Sequence, residues 1–244
     1  MPLPFRLIRR PVIPPRILEV RKNILKKNDE LAREMRARFE ARGIYVVNVV
    51  SGPGAGKTAL LSALRGELAS RGVEVAAVVG DLATENDARR LNEAGIRARQ
   101  ILTGTMCHLE ADMVEGAVAD LDLDGVDLLF IENVGNLVCP QSWDLGEDMR
   151  MLLFNSTEGE DKPLKYPTLI NTCDLVVFSK MDLAEPVGFD RGTARRNCQD
   201  VRPGVPMVDT SARTGHGLPE LAEMLAERAR LKRQRGTAGS RDSS

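Results

Sequence analysis

Ser51-Gly-Pro-Gly-Ala-Gly-Lys-Thr58 directly follows the apolar run Ile44 to Val50 and precedes Leu60 to Ala69, a stretch with helical spacing of leucines. A strand, a glycine-rich loop and a helix in that order are the context in which a loop cradles phosphate. Gly54 and Gly56 let the main chain turn so that its N–H groups face anionic oxygens, and the helix start adds its positive end. Lys57 reaches the outer phosphates and Thr58 offers a hydroxyl to Mg²⁺. Gly52, Ala55 and Ala59 belong to the same cradle. The pattern opens on Ser51 where glycine is usual, but the three glycines that follow keep the loop permissive. The plain alternative is a glycine-rich turn without a ligand, and the flanking strand and helix argue against it.

Outward from this loop the chain alternates. Val73 to Val79, Leu128 to Ile131, Met151 to Phe154, Leu175 to Phe178 and Pro206 to Val208 are short runs of Val, Ile, Leu and Phe, most of them apolar throughout. Helical stretches lie between them around Glu85 to Ala94 and Leu109 to Ala119, with a last one from Leu218 to Leu231. Strands apolar on both faces and separated by helices predict an α/β fold, a P-loop NTPase with a doubly wound, mostly parallel sheet and flanking helices. Residues 44–231 would form this domain. Residues 236–244, GTAGSRDSS, are mostly small and polar, and residues 232–244 are expected to be a disordered tail. Residues 1–43 carry 12 Lys and Arg against 5 Asp and Glu. Within them Ile17, Val20, Ile24, Leu31, Met35 and Phe39 draw an apolar stripe along an N-terminal helix, which would dock on the main domain or on a partner. Pro11, Pro14 and Pro15 keep the leader before it extended, and Gly43 closes the helix.

Composition excludes several classes. With 34 Lys and Arg against 35 Asp and Glu the net charge is -1, which argues against nucleic acid as a partner. No run approaches the ~20 apolar residues of a membrane span. Four cysteines, with no apolar signal core before them, are expected to be reduced thiols in the cytoplasm.

Leu128-Leu-Phe-Ile-Glu132 closes an apolar strand on a carboxylate, and Asn-Val-Gly135 continues it. Next to a phosphate loop, an acid so placed sits near Mg²⁺, and the glycine suits a backbone that senses the γ phosphate. Asp81 ends the second strand in the same manner and is a further Mg²⁺ or water-positioning candidate, while Asp87 supports a helix start. The catalytic set is therefore Lys57, Thr58, Asp81 and Glu132, of which Thr58, Asp81 and Glu132 are the magnesium candidates. Ser179-Lys-Met-Asp182 ends the Leu175 to Phe178 strand. There Asp182 can accept both the N1–H and the exocyclic amine of guanine, and the Lys180 stem can cover the base. Ser211 and Ala212, after the next strand, lie where a main-chain N–H would meet the base oxygen. Together these favour GTP over ATP. Ser179 stands where Asn is usual and is expected to shorten the tie between this loop and the phosphate loop.

Cys107, His108 and Cys139 offer two thiols and an imidazole, donors suited to Ni²⁺ or Zn²⁺, with water or a second protomer completing the coordination. By spacing alone, a metal site and ordinary buried cysteines are equally good readings. Cys173 and Cys198, with no histidine nearby, are expected to be structural.

Five segments carry a resemblance over about residues 17–231: the phosphate loop, Gly80-Asp-Leu-Ala-Thr-Glu-Asn-Asp-Ala88, Thr103-Gly-Thr-Met-Cys-His-Leu109, Glu132-Asn-Val-Gly-Asn-Leu-Val-Cys-Pro140 and Thr157-Glu-Gly-Glu-Asp-Lys-Pro-Leu-Lys-Tyr-Pro167. The chain resembles the hydrogenase nickel-incorporation GTPases, the HypB family. The resemblance implies a GTPase that delivers nickel during [NiFe] hydrogenase maturation; with no obvious cis arginine finger or catalytic Gln, its turnover is expected to be slow. It also implies a metal site of Cys107, His108 and Cys139 near a GTP-dependent homodimer interface, and as partners other maturation factors and the hydrogenase large subunit. Lys162 or Lys165 would touch nucleotide across that dimer. Residues 1–43 contain neither Cys nor His, so the additional N-terminal metal motif of many members is not expected. Phe154-Asn-Ser156 also departs from the familiar residues before the Thr157 segment. The rival readings are a urease-type nickel GTPase, whose Cys-Pro-His motif this chain lacks, an ATP-using P-loop transferase, and a metal-binding scaffold with structural nucleotide.

Overall fold

The apolar runs form a single sheet of seven parallel strands, in a computed structural model that describes residues 15–241 and the side chains of residues 23–236. In chain order these are β1 (Tyr45–Ser51), β2 (Val75–Asp81), β3 (Arg97–Leu102), β4 (Leu128–Glu132), β5 (Met149–Asn155), β6 (Leu175–Ser179) and β7 (Met207–Asp209). Their spatial order is β3-β2-β4-β1-β5-β6-β7, so the chain winds outward both ways from the centre. The main helices are α1 (Pro15–Ala41), α2 (Lys57–Ser70), α3 (Asn86–Glu93), α4 (Ala111–Ala119), the short α5 (Lys162–Lys165) and α6 (Pro167–Thr172), then α7 (Arg191–Val201) and α8 (Leu218–Arg241). Residues 1–14, including Pro11 and Pro14, and residues 242–244 lie outside the described residues, as do the side chains of Ile17 and Val20.

Side chains alternate across each strand, and this sorts the core into layers. Tyr45, Val47 and Val49 of β1 face α2 and α8, packing with Leu61, Leu64 and Leu225. Val46, with Ala76, Val78, Leu129 and Ile131, faces α1 and α4. Val50, with Leu152, Phe154, Val176 and Phe178, faces α6 and α7. α1 docks on this chain's own sheet through Ala32, Met35 and Phe39, while Ile24 is exposed. Burying Met35 and Phe39 contributes about 1.5–3 kcal/mol each.

Three elements differ from the expectation. β3 is an edge strand pairing only with β2, and its residues Arg97 to Leu102 are half-buried or exposed, so no apolar run announces it. α7 buries only Ala194 and Cys198 and is started by the Asp190 carboxylate, which accepts from the Thr193 amide. α8 does not end at Leu231 but continues to Arg241, into the stretch expected to be a tail. The reason is Lys232, which is buried and paired with Glu40 of α1 and with Asp148, at 2.7 Å from the latter. A lysine ion pair thus fastens a polar helical extension that carries little apolar surface of its own.

Register positions the site. Val49 of β1 lies opposite Glu132, the last residue of β4, so the loop leaving β1 and the loop leaving β4 emerge side by side. Ligands of such sheets bind beyond the carboxyl ends of the strands.

Candidate nucleotide and metal site

The phosphate loop turns through Gly54 (φ 72°) and Gly56 (φ 90°) into the first turn of α2. Both angles fall in the left-handed region that glycine adopts without strain. Lys57 is buried, and its Nζ donates to the Ser51 hydroxyl at 3.1 Å. The Ser51 hydroxyl in turn donates to the Gly52 carbonyl at 2.7 Å. Burial pulls the Lys57 pKa down, against the attraction of Glu132. The Thr58 hydroxyl donates to Glu132 Oε1 at 2.8 Å, and Glu132 Oε2 is buried with no partner. A hydroxyl beside a carboxylate with a spare buried oxygen, under a phosphate loop, fits a hard divalent cation such as Mg²⁺. Asp81, at the rim, accepts from the Thr84 amide at 2.9 Å and the Thr84 hydroxyl at 2.5 Å. Partial burial works to raise its pKa, but these hydrogen bonds hold it below the ordinary value. Asp87 pairs with Arg90 at 3.7 Å on α3.

Glu132 carries the largest electrostatic consequence here. Burial pushes its pKa up to about 7, against the Lys57 charge and the Thr58 hydroxyl. Between the ordinary value of 4.5 and about 7 the native state therefore holds a proton that the unfolded chain has released. Stability of the nucleotide-free protein is expected to fall as pH rises through that window, by up to about 3 kcal/mol, and then to level off. Denaturant unfolding from pH 5 to 8 checks this, because Glu132→Gln should flatten that part of the slope.

On the other side of the loop, a cavity of about 400 Å³ is lined by Ala55, Gly56, Ala59, Lys180, Asp182 and Ala212, together with Leu60 and Arg213, which the sequence did not single out. Lys180 has a left-handed backbone (φ 56°) and its Nζ donates to the Gly54 carbonyl at 2.7 Å. Asp182 Oδ1 accepts from the Ser211 hydroxyl at 2.6 Å, which orients the carboxylate. The expected short tie at Ser179 is a direct one: its hydroxyl donates to the Ala55 carbonyl at 2.8 Å. The Ser156 hydroxyl, just past β5, donates to the Lys180 carbonyl at 2.7 Å and so fastens the Lys180 loop from its other side.

The loop after β4 returns against the phosphate loop. A side chain at Gly135 would come within 2.9 Å of the Pro53 Cα, so only glycine allows that approach. Glu158, inside the Thr157 segment, packs against Gly52 and keeps a buried oxygen without a partner, and burial raises its pKa.

Four residues past Gly135, Cys139 meets Cys107 and His108, the only such cluster among the described residues, with ligand atoms all within 4.8 Å of one another. Cys107 Sγ lies 3.8 Å from His108 Nδ1. Hydrogen bonding with Cys107, then burial, raises the Cys139 thiol. The His108 ring stacks on Trp143 at 4.5 Å, and its Nε2 sits 3.4 Å from Glu110 Oε1 without a formed hydrogen bond. Two soft donors and an imidazole at this spacing suit nickel or zinc. Burial pushes both Cys173 and Cys198 up to about 12, which keeps them as protonated core thiols. Lys162 and Lys165 lie on the short α5, where Lys162 approaches the Tyr166 ring at 5.5 Å.

Behind both centres runs a set of buried amides that the motifs did not reveal. Asn133 Oδ1 accepts from the Leu109 amide at 3.1 Å, one residue past His108, and its Nδ2 donates to Asn48 Oδ1 at 3.3 Å. Asn48 interrupts an otherwise apolar strand, which is the one signal of this set in the sequence.

A phosphate loop fastened by Thr58 to a strand-ending acid, beside a cavity of this kind on a doubly wound parallel sheet, defines a P-loop nucleotide-binding domain, here with a candidate metal centre on the adjoining loop. Residues 45–209 match the family described as CobW/HypB/UreG, nucleotide-binding domain. A hydrogenase maturation factor HypB of Rhizobium leguminosarum bv. viciae is 47% identical over 203 residues, covering 83% of this chain and 68% of that protein. HypB from Helicobacter pylori, solved in complex with nickel, superposes with a TM-score of 0.78 at 40% identity, covering 84% of this chain and 96% of that one. HypB from Archaeoglobus fulgidus gives 0.77 at 34% identity, covering 84% and 100%. The chain belongs to the HypB family of hydrogenase maturation factors.

Proposed function

We propose that this protein is a GTP-hydrolysing nickel metallochaperone of [NiFe] hydrogenase maturation, acting in the cytoplasm as a GTP-dependent homodimer with other maturation factors and the hydrogenase large subunit. The observation that carries the reading is the β4 loop. Glu132 accepts from Thr58 of the phosphate loop, Asn133 accepts from the amide next to His108, and Cys139 lies seven residues beyond Glu132.

In this reading Asp182 accepts the two guanine N–H groups, Lys180 covers the base, and Lys57 with the loop amides holds the phosphates. Thr58 and Glu132 would hold Mg²⁺, with Asp81 at the rim, and the ion would supply charge neutralisation at the phosphates. The Gly135 segment, packed on Pro53, responds to the presence of the γ phosphate and moves Cys139 relative to Cys107 and His108. The sequence offers no obvious catalytic glutamine or cis arginine finger, and turnover is expected to be slow. Nickel is the cargo: its affinity changes between nucleotide states only as far as the geometry of the thiols and the imidazole changes. The nickel in the Helicobacter pylori HypB structure supports that cargo here.

The test is nickel per protomer after gel filtration, with GDP and with a non-hydrolysable GTP analogue, in the wild type and Cys139→Ala. Nickel that depends on nucleotide and disappears in the variant is the expected result. Nickel indifferent to both would leave the cysteines structural.

A further inference from the structure

Asn28 stands on the face of α1 that otherwise buries Ala32, Met35 and Phe39, with Leu31 packed at its edge, and it is itself buried. Its Oδ1 accepts from the Ala111 amide at 2.8 Å, and its Nδ2 donates to the Asp144 carbonyl at 2.8 Å. The orientation of the amide is fixed by its partners, since an N–H requires the oxygen and a carbonyl requires the nitrogen. Neither partner is near Asn28 in sequence: they lie 83 and 116 residues away. Both adjoin the metal cluster. Ala111 comes three residues after His108, and Asp144 follows Trp143, the ring on which His108 stacks. Arg36, two turns further along α1, holds the same second segment through Asp144 Oδ1 at 2.5 Å.

We propose that Asn28 is a positioning residue for the metal site, through which the N-terminal helix sets the spacing between the segment that carries Cys107 and His108 and the segment that carries Cys139 and Trp143. The proposal rests on the metal-site reading above. One carboxamide bonds both segments, so it fixes their separation, and losing either bond frees one side of the cluster relative to the other. A group behind metal ligands acts by orienting them, and losing it weakens metal binding without removing a ligand.

The experiment compares Ni²⁺ titrations of the full chain as wild type, Asn28→Ala, Asn28→Asp and Arg42→Ala. It reads the thiolate-to-nickel charge-transfer absorption, nickel affinity and GDP affinity. Asn28→Ala should bind nickel about tenfold more weakly with an altered charge-transfer band, while GDP affinity stays within about twofold. Asn28→Asp keeps the acceptor for Ala111 and loses the donor to Asp144, and should fall between; it carries the test if the alanine variant fails to fold. Arg42, just past the end of α1, pairs with Asp124 away from the cluster, at 2.9 Å, so its loss loosens only that end of the helix and should leave the band unchanged. A wild-type band and affinity in both Asn28 variants, or the same change in Arg42→Ala, would overturn the proposal. Failure of the underlying reading looks different: Cys139→Ala would then bind nickel as the wild type does.

Discussion

Asp182→Asn is expected to lower guanine nucleotide affinity by a hundredfold or more and to raise affinity for xanthine nucleotides. The Ser211 hydroxyl holds the carboxylate facing the cavity at 2.6 Å from Oδ1, leaving acceptor capacity for two donors on a base edge. Each hydrogen bond to a charged acceptor contributes about 1.5–3 kcal/mol, and asparagine replaces one of them by an N–H facing an N–H. Xanthine presents a carbonyl where guanine presents its amine, so the asparagine nitrogen finds a partner there. Competition between GDP, XDP and ADP for a fluorescent guanine nucleotide measures both arms. An unchanged preference for guanine would remove Asp182 from base recognition, and tight ADP binding by the wild type would revive the ATP-using alternative.

Lys57→Ala should reduce nucleotide hydrolysis by about 10²–10³, the usual consequence of removing one preorganised donor from developing phosphate charge. The lysine is already buried and held by the Ser51 hydroxyl at 3.1 Å, so little reorganisation precedes contact with phosphate. Single-turnover hydrolysis separates this effect from a change in binding. A variant that hydrolyses at the wild-type rate would place the charge stabilisation elsewhere, with Lys180 the next cation to vary.

The parts of the fold that could be read from sequence are those where burial on both faces left an apolar run. β1, β2, β4, β5, β6 and β7 announce themselves in this way, whereas β3, at the edge, places Arg97 and Arg99 in half-exposed positions. α7 was hidden by its polarity, and α8 beyond Leu231 by the fact that Lys232 is fixed by ion pairs with distant residues. The candidate site divides similarly. Lys57, Thr58, Asp182 and the cysteine cluster belong to local patterns whose chemistry depends on spacing. Asn28 and Trp143 meet their partners only through the fold, and nothing adjacent in sequence marks them, whereas Asn133 and Glu110 sit beside Glu132 and His108 but show their contacts only in three dimensions. Ser179 shows a different limit: shortening a side chain need not break its contact, because the hydroxyl reaches the Ala55 carbonyl directly.

The segment from Leu109 to Ala111 is held from two sides, by Asn133 below the nucleotide loops and by Asn28 on α1. Every group in that clasp is an amide. Amides carry no net charge and do not titrate in the physiological range, so the clasp passes on displacement alone, with no dependence on protonation and little on salt. Glu132, one residue before Asn133, has by contrast a pKa raised by burial to about 7. At the end of β4 a carboxylate that titrates and an amide clasp that does not thus lie side by side.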